Sequence, residues 1–124
     1  MQPKDIVLAY WSAMQTNDFA SAAEWLSEDI VIDWPQSRER IRGRRNITTI
    51  NSTYPSEGRW RFTLDRILAD RNEVVTDVSL TDGKTVARAL SFHVVRDGLI
   101  VELTEYWPDT YHAPDWRAAL VERY

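Results

Sequence analysis

"YWSAMQTNDFASAAEWLSEDIVIDWP", residues 10–35, changes its hydrophobic period partway through. Val7, Tyr10, Trp11 and Met14 recur at three- and four-residue spacing, which predicts a helix with one inward stripe. Pro3 suits its first turn and Asn17 its stop. Asp18 is placed to cap a short second helix carrying Phe19, Ala22, Ala23 and Leu26. Beyond it, Ile30, Ile32 and Trp34 alternate with Val31 and Asp33 and run into Pro35, the pattern of a short strand. Two helices that meet at a tight Asn-Asp corner and feed a strand leave an apolar stripe in need of cover.

The rest of the chain supplies it. "PQSRERIRG", residues 35–43, reads as loop, and Ile47, Ile50 and Tyr54 predict a third helix ending before Pro55. From Gly58 the period becomes two. Trp60, Phe62 and Leu64 alternate with Arg61, Thr63 and Asp65, and strand-like runs follow at Val74–Leu80, Thr85–Val95 and Leu99–Trp107. The turns between them are "DRNE", "TDGK" and "RDG". Four strands joined by turns this short form an antiparallel meander, and one of its faces needs the helices as cover. Trp116 and Leu120, one helical turn apart, predict a closing helix. Trp25, Trp60 and Trp116 are assigned to packing. The expectation is an α+β fold in a single domain, residues 1–124: three N-terminal helices wrapped by four long strands plus one short strand.

Composition narrows the function classes. The chain has 124 residues, 44% hydrophobic and 27% charged, in the range of ordinary globular domains. No apolar run approaches a membrane span, and no secretory leader is legible, which predicts a cytoplasmic protein. There is no cysteine, and the two histidines lack metal-ligand spacing, so neither a metal nor a cofactor is expected. A net charge of −4 argues against nucleic acid as a partner. The arginines of "RERIRGRR", residues 38–45, read as a solvated face.

The order helix, helix, strand, helix, curved sheet resembles the NTF2-like superfamily, and within it the SnoaL-like branch. The resemblance is carried by residues 10–35, by "ERIRG" before the third helix, and by "RDGLIVELTEYWPD", residues 96–109, which is similar to the family's terminal hairpin. It implies a cone whose curved sheet wraps the helices and leaves an apolar pocket at the wide end, with Trp34 and Trp107 at pocket positions. It also implies a small apolar ligand and a homodimer through the outer face of the sheet, where Ser79 and Ala87 are read as residues too small or apolar for full solvation. Ketosteroid isomerases share the fold. Aligned with them, their oxyanion-hole tyrosine falls on Tyr10, their aspartate base on Trp34 and, if the last hairpin turns through a three-residue loop, their protonated aspartate on Ser91, so steroid-type isomerisation is disfavoured. The epoxide hydrolases' Asp-Arg-Asp set has no counterpart, since Arg88 is expected to face away from Glu105.

Which residues share the pocket depends on the register of the last hairpin. With "RDG" as a three-residue loop, the preferred reading, Ala89 pairs with Glu105 and Ser91 with Leu103, and Ala89, Ser91 and His93 share a face with Leu103, Glu105 and Trp107. With a two-residue Asp97-Gly98 turn, Leu90, Phe92 and Val94 take the places of Ala89, Ser91 and His93. Under the preferred reading Glu105, Tyr10 and His93 are the candidate catalytic residues. Met14, Trp34, Phe62, Ser91, Leu103 and Trp107 are the candidate ligand contacts. Glu105 in an apolar wall either holds its proton for acid-base work or pairs with an arginine. Tyr10 offers a hydroxyl for a developing oxyanion. His93 either relays a proton or is a satisfied core histidine. Three readings of function follow: a cofactor-independent isomerase, cyclase, dehydratase or hydrolase acting on a small apolar carbonyl compound; a binding module; or a structural dimer with a filled pocket.

Overall fold

A computed structural model describes residues 1–124. Helix α1 (Pro3–Gln15) begins with the backbone N–H of Gln2 donating to the Asp5 carboxylate at 2.9 Å, and it buries Ile6, Val7, Tyr10, Trp11 and Met14. Asn17, at φ 63°, ends it in the left-handed region that asparagine tolerates. Asp18 then caps helix α2 (Phe19–Ala23), accepting from the Ser21 N–H at 3.1 Å. Strand β1 runs Leu26–Trp34, strand β2 Glu39–Arg42 and helix α3 Arg44–Thr53. The meander follows: β3 (Arg61–Asp70), β4 (Glu73–Thr81), β5 (Val86–Arg96) and β6 (Leu99–Tyr106).

The sheet has six strands in the order β2-β1-β6-β5-β4-β3. The α+β architecture agrees with the sequence reading, with two differences of detail. Residues 39–42, expected as loop, form an edge strand antiparallel to β1, held by the bidentate pairing of Arg40 with Asp33 at 2.6 and 3.0 Å. Strand β1 joins the meander by pairing in parallel with β6, because the intervening α3 crossover returns the chain in the same direction. Alternation along β4 and β5 turns Val74, Thr76 and Val78 and then Ala89, Ser91 and His93 toward the helices, where each is fully buried. A fully buried Val or Ile contributes roughly 1.5–3 kcal/mol, so this face, packed on α1, supplies much of the cohesion.

The last hairpin corrects the expected register. Its turn has two residues, Asp97 (φ 51°) and Gly98 (φ 78°), and Arg96 pairs with Leu99. Both turn residues have positive φ, as a type I′ turn requires. On its own this turn would have put Leu90, Phe92 and Val94 inside. One extra residue, Val101, bulges out of β6 between the Val95–Ile100 and Val94–Glu102 pairs and restores the parity. Ser91 therefore pairs with Glu105 and His93 with Leu103, and neither Ala89–Glu105 nor Ser91–Leu103 is a pair. The face assignment survives while the partners shift.

Two further expectations change. Trp116 was assigned to packing, but the C-terminal turn (Asp115–Leu120) is 3-10 and buries nothing, and Trp116 is 77% exposed. Its six residues are too short for an apolar stripe to reach the core. Ala87 lies on the inner face of β5 and lines the cavity described next, so it is no part of the outer surface. Trp25, by contrast, packs on the core as expected.

Candidate functional site

A cavity of about 120 Å³ lies between α1, α3 and the concave face of the sheet. Of the expected residues, Tyr10, Met14, Trp34, Phe62, Leu103, Glu105 and Trp107 line it. Ser91 lies behind it and touches it through Glu105, while His93 lies deeper in the core. Only three of the lining residues are neither aliphatic nor aromatic: Asn51, Thr85 and Glu105.

Glu105 is 6% exposed and is positioned by both of its neighbouring strands. The Trp34 indole N–H, from the end of β1, donates to Oε1 at 3.1 Å, and the Ser91 hydroxyl, directly across on β5, donates to Oε2 at 2.7 Å. No cation reaches it, as every salt bridge in the molecule involves other carboxylates. Desolvation therefore raises its pKa above the ordinary carboxylate value, and the hydrogen bonds from Ser91 and Trp34 offset only part of that rise. The arginine that a structural ion pair would need, Arg88, is on the outer face and binds Asp77 and Asp65.

Tyr10 reaches the same cavity from α1. Its hydroxyl has no hydrogen-bond partner within the protein, and burial, followed by the neighbouring Glu105 charge, raises its pKa so that it stays a phenol. Trp34 and Trp107 meet edge to face at 6.0 Å and form one wall. His93 Nδ1 lies 2.8 Å from the Val74 carbonyl, which can only accept, so the proton is on Nδ1 and the unpartnered Nε2 is a bare acceptor in the core. Burial lowers its pKa to about 4, with the bond to Val74 opposing. A neutral imidazole enclosed by Tyr10 and Trp11 rings supports packing more directly than proton relay.

The sequence reading missed part of the lining. Trp60, assigned to packing, is a wall, as are Trp11, Phe19, Ile47, Asn51, Tyr54, Leu80, Thr85 and Ala87. Some of these were legible: Ile47, Asn51 and Tyr54 follow helical spacing, and Trp60 shares strand parity with Phe62. Thr85 and Ala87 needed the strand pairing to be known.

Comparison with known proteins places the fold in a family. Residues 7–103 match the SnoaL-like domain, and the chain belongs to that family. It is similar over 99% of its length to a candidate ketosteroid isomerase from Kribbella flavida DSM 17836, at 34% identity and a TM-score of 0.90, with 90% of that chain covered. An NTF2-like protein of unknown function from Burkholderia xenovorans LB400 matches at 30% identity and a TM-score of 0.81, covering 98% of this chain and 94% of that one. An LEH-like epoxide hydrolase of M. tuberculosis matches at 25% identity and a TM-score of 0.69, covering 86% and 82%. No curated protein matches the chain. A candidate ketosteroid isomerase and an epoxide hydrolase are thus among the structures this chain resembles, and no helix here is long and apolar enough to cross a membrane.

Proposed function

We propose that the protein is a cofactor-independent enzyme that moves a proton on a small apolar carbonyl compound, with Glu105 as the acid-base group and Tyr10 as the oxyanion donor. One observation carries this reading: a cation-free carboxyl group and an unpartnered phenol face the same apolar cavity. A substrate carbonyl accepts the Tyr10 O–H. The Glu105 carboxylate, made more basic by its dry surroundings, takes a proton from the adjacent carbon as the C–H electron pair moves into an enolate. The same carboxyl group then returns the proton to a different carbon, which completes an isomerisation. Trp34 and Ser91 hold the carboxylate oxygens in place throughout. Met14, Phe62, Leu103 and Trp107 exclude water.

The test is exchange of carbonyl-adjacent protons of small cyclic ketones in D₂O, followed by NMR. The wild type is expected to catalyse exchange, Glu105→Gln to abolish it, and Tyr10→Phe to lower it by about 10²–10³-fold, the cost of one oxyanion donor. Ketone binding without exchange would instead mark a binding module, a reading favoured by Trp34 standing where ketosteroid isomerases carry their aspartate. We read the working unit as a cytoplasmic homodimer through the sheet, because Phe92 and Tyr106 form an exposed edge-to-face pair at 6.1 Å on the outer face.

A further inference from the structure

We infer that the site sets a size limit, admitting uncharged molecules of about one ring and turning away fused polycyclic ones, and that Asn17 is the positioning residue that holds this limit. The inference rests on the carbonyl-binding role proposed above and adds the substrate class.

The cavity of about 120 Å³ is close to the ~150 Å³ of an engineered apolar cavity that takes benzene, and far below the ~300–1,000 Å³ of ordinary drug-sized pockets. Its lining offers no Lys or Arg, so a carboxylate or phosphate ligand would enter a dry space whose one ionisable acid is already an unpaired Glu105. A small cavity discriminates by size only if its walls cannot retreat.

The Trp60 wall is held on both sides. The Asn17 side chain brackets the Trp60 backbone: its Oδ1 accepts from the Trp60 N–H at 2.9 Å, and its Nδ2 donates to the Trp60 carbonyl at 2.8 Å. Next to it, Gln15 Oε1 accepts from the Phe62 N–H at 2.7 Å. On the other side, the Asp82 carboxylate accepts from the Glu57 N–H at 2.8 Å and from the Lys84 and Thr85 N–H groups of its own turn. That turn lies so close that a Cβ on Gly58 would come within 2.9 Å of the Asp82 carbonyl oxygen. Tyr54 leans edge-on against the Trp60 ring at 6.2 Å. Asn17 therefore does more than stop a helix, since its amide fixes the backbone from which a cavity wall projects.

The experiment titrates the full chain with cyclohexanone, a two-ring decalone and a tetracyclic ketone, with cyclohexane and decalin as carbonyl-free arms, by calorimetry and tryptophan fluorescence. Wild type is expected to bind cyclohexanone, to bind the decalone at least about tenfold more weakly, and not to bind the tetracyclic ketone. Asn17→Ala is expected to narrow the one-ring to two-ring gap by about tenfold while cyclohexanone affinity holds. Leu80→Ala, which enlarges the cavity from the sheet side and leaves Asn17 in place, is expected to admit the decalone, and it carries the size test if Asn17→Ala does not fold. Equal or tighter wild-type binding of the decalone or the tetracyclic ketone overturns the size limit. An unchanged gap in folded Asn17→Ala overturns the role of Asn17. A size cutoff among the hydrocarbons with no advantage for the ketones overturns the carbonyl reading and leaves the size limit standing.

Discussion

At Glu105 and His93, burial shifts two titratable groups in opposite directions, and stability should record both. Glu105 has a raised folded pKa, so its contribution is fully present below the ordinary value near 4.5 and is lost as pH rises through the folded value. Glu105→Gln should remove that loss, keeping both hydrogen-bond donors occupied by an amide oxygen or exchanging one contact at small cost. Urea unfolding of both proteins between pH 4 and 8 checks this, and a Gln variant destabilised throughout that range would contradict the absence of an ion pair. His93 has a folded pKa near 4 against an ordinary 6.5, so its contribution is present above 6.5 and is lost as pH falls toward 4. The difference corresponds to roughly 3 kcal/mol. His93→Phe should flatten this acid limb by about that amount in thermal melts at pH 4 and 7, and ketone proton exchange should persist.

The last hairpin shows how one residue determines what an element presents. Its type I′ turn and the Val101 bulge act together, and with Val101 drawn into the ladder the turn would point Glu105 outward. Deleting Val101 should leave the turn intact and remove only the bulge: Glu102 then follows Ile100, Ser91 still faces Glu105 and His93 still faces Leu103, and Leu103, Glu105 and Trp107 stay on the inner face. Inserting one alanine between Glu102 and Leu103 instead should turn Leu103, Glu105 and Trp107 outward, bury Thr104 on the inner face, cost several kcal/mol and abolish cooperative thermal unfolding followed by circular dichroism, whereas the Val101 deletion should keep it. The sequence showed the alternation on both sides of "RDG" and hence the correct face. The bulge was not legible there, because an extra residue in a strand has no compositional mark and is revealed only by its partner. Likewise Glu39–Arg42 carried no apolar run, and only pairing with β1 makes it a strand.

Across the whole molecule, the concave face holds the cavity and the outer face is left with Phe92, Tyr106, Leu68 and Val86 exposed. Beside them Asp77 draws in Arg66 and Arg88, and these bonds, working against desolvation, hold its pKa below the usual carboxylate value. If this face joins two copies, sedimentation at micromolar concentration gives a species of twice 14.5 kDa. Phe92→Lys should return it to a monomer, with cyclohexanone binding changed less than twofold because the substitution lies on the opposite side of the sheet. The exposed C-terminal turn adds little to a single chain, so removing residues 115–124 should alter monomer stability by no more than about 0.5 kcal/mol, measured in the Phe92→Lys background.

While the parallel pairing of β1 with β6 came only with the tertiary structure, the period of the apolar residues, the Asn-Asp corner and the short turns determined that this chain forms helices covered by an antiparallel meander. These are local signals, set by which side chains share a face two, three or four residues apart. They also singled out Glu105, because a carboxylate flanked by large apolar residues is conspicuous in any register, whereas Tyr10, Trp34 and Trp107 were marked by the resemblance to the SnoaL-like family. Tertiary structure decided the rest: that Ser91 and Trp34, rather than an arginine, meet Glu105; that His93 faces the core and not the cavity; and that Asn17 clamps Trp60 from forty-three residues away. Such contacts join segments whose separation in sequence carries no information about distance, and only the packed sheet brings them within hydrogen-bond range.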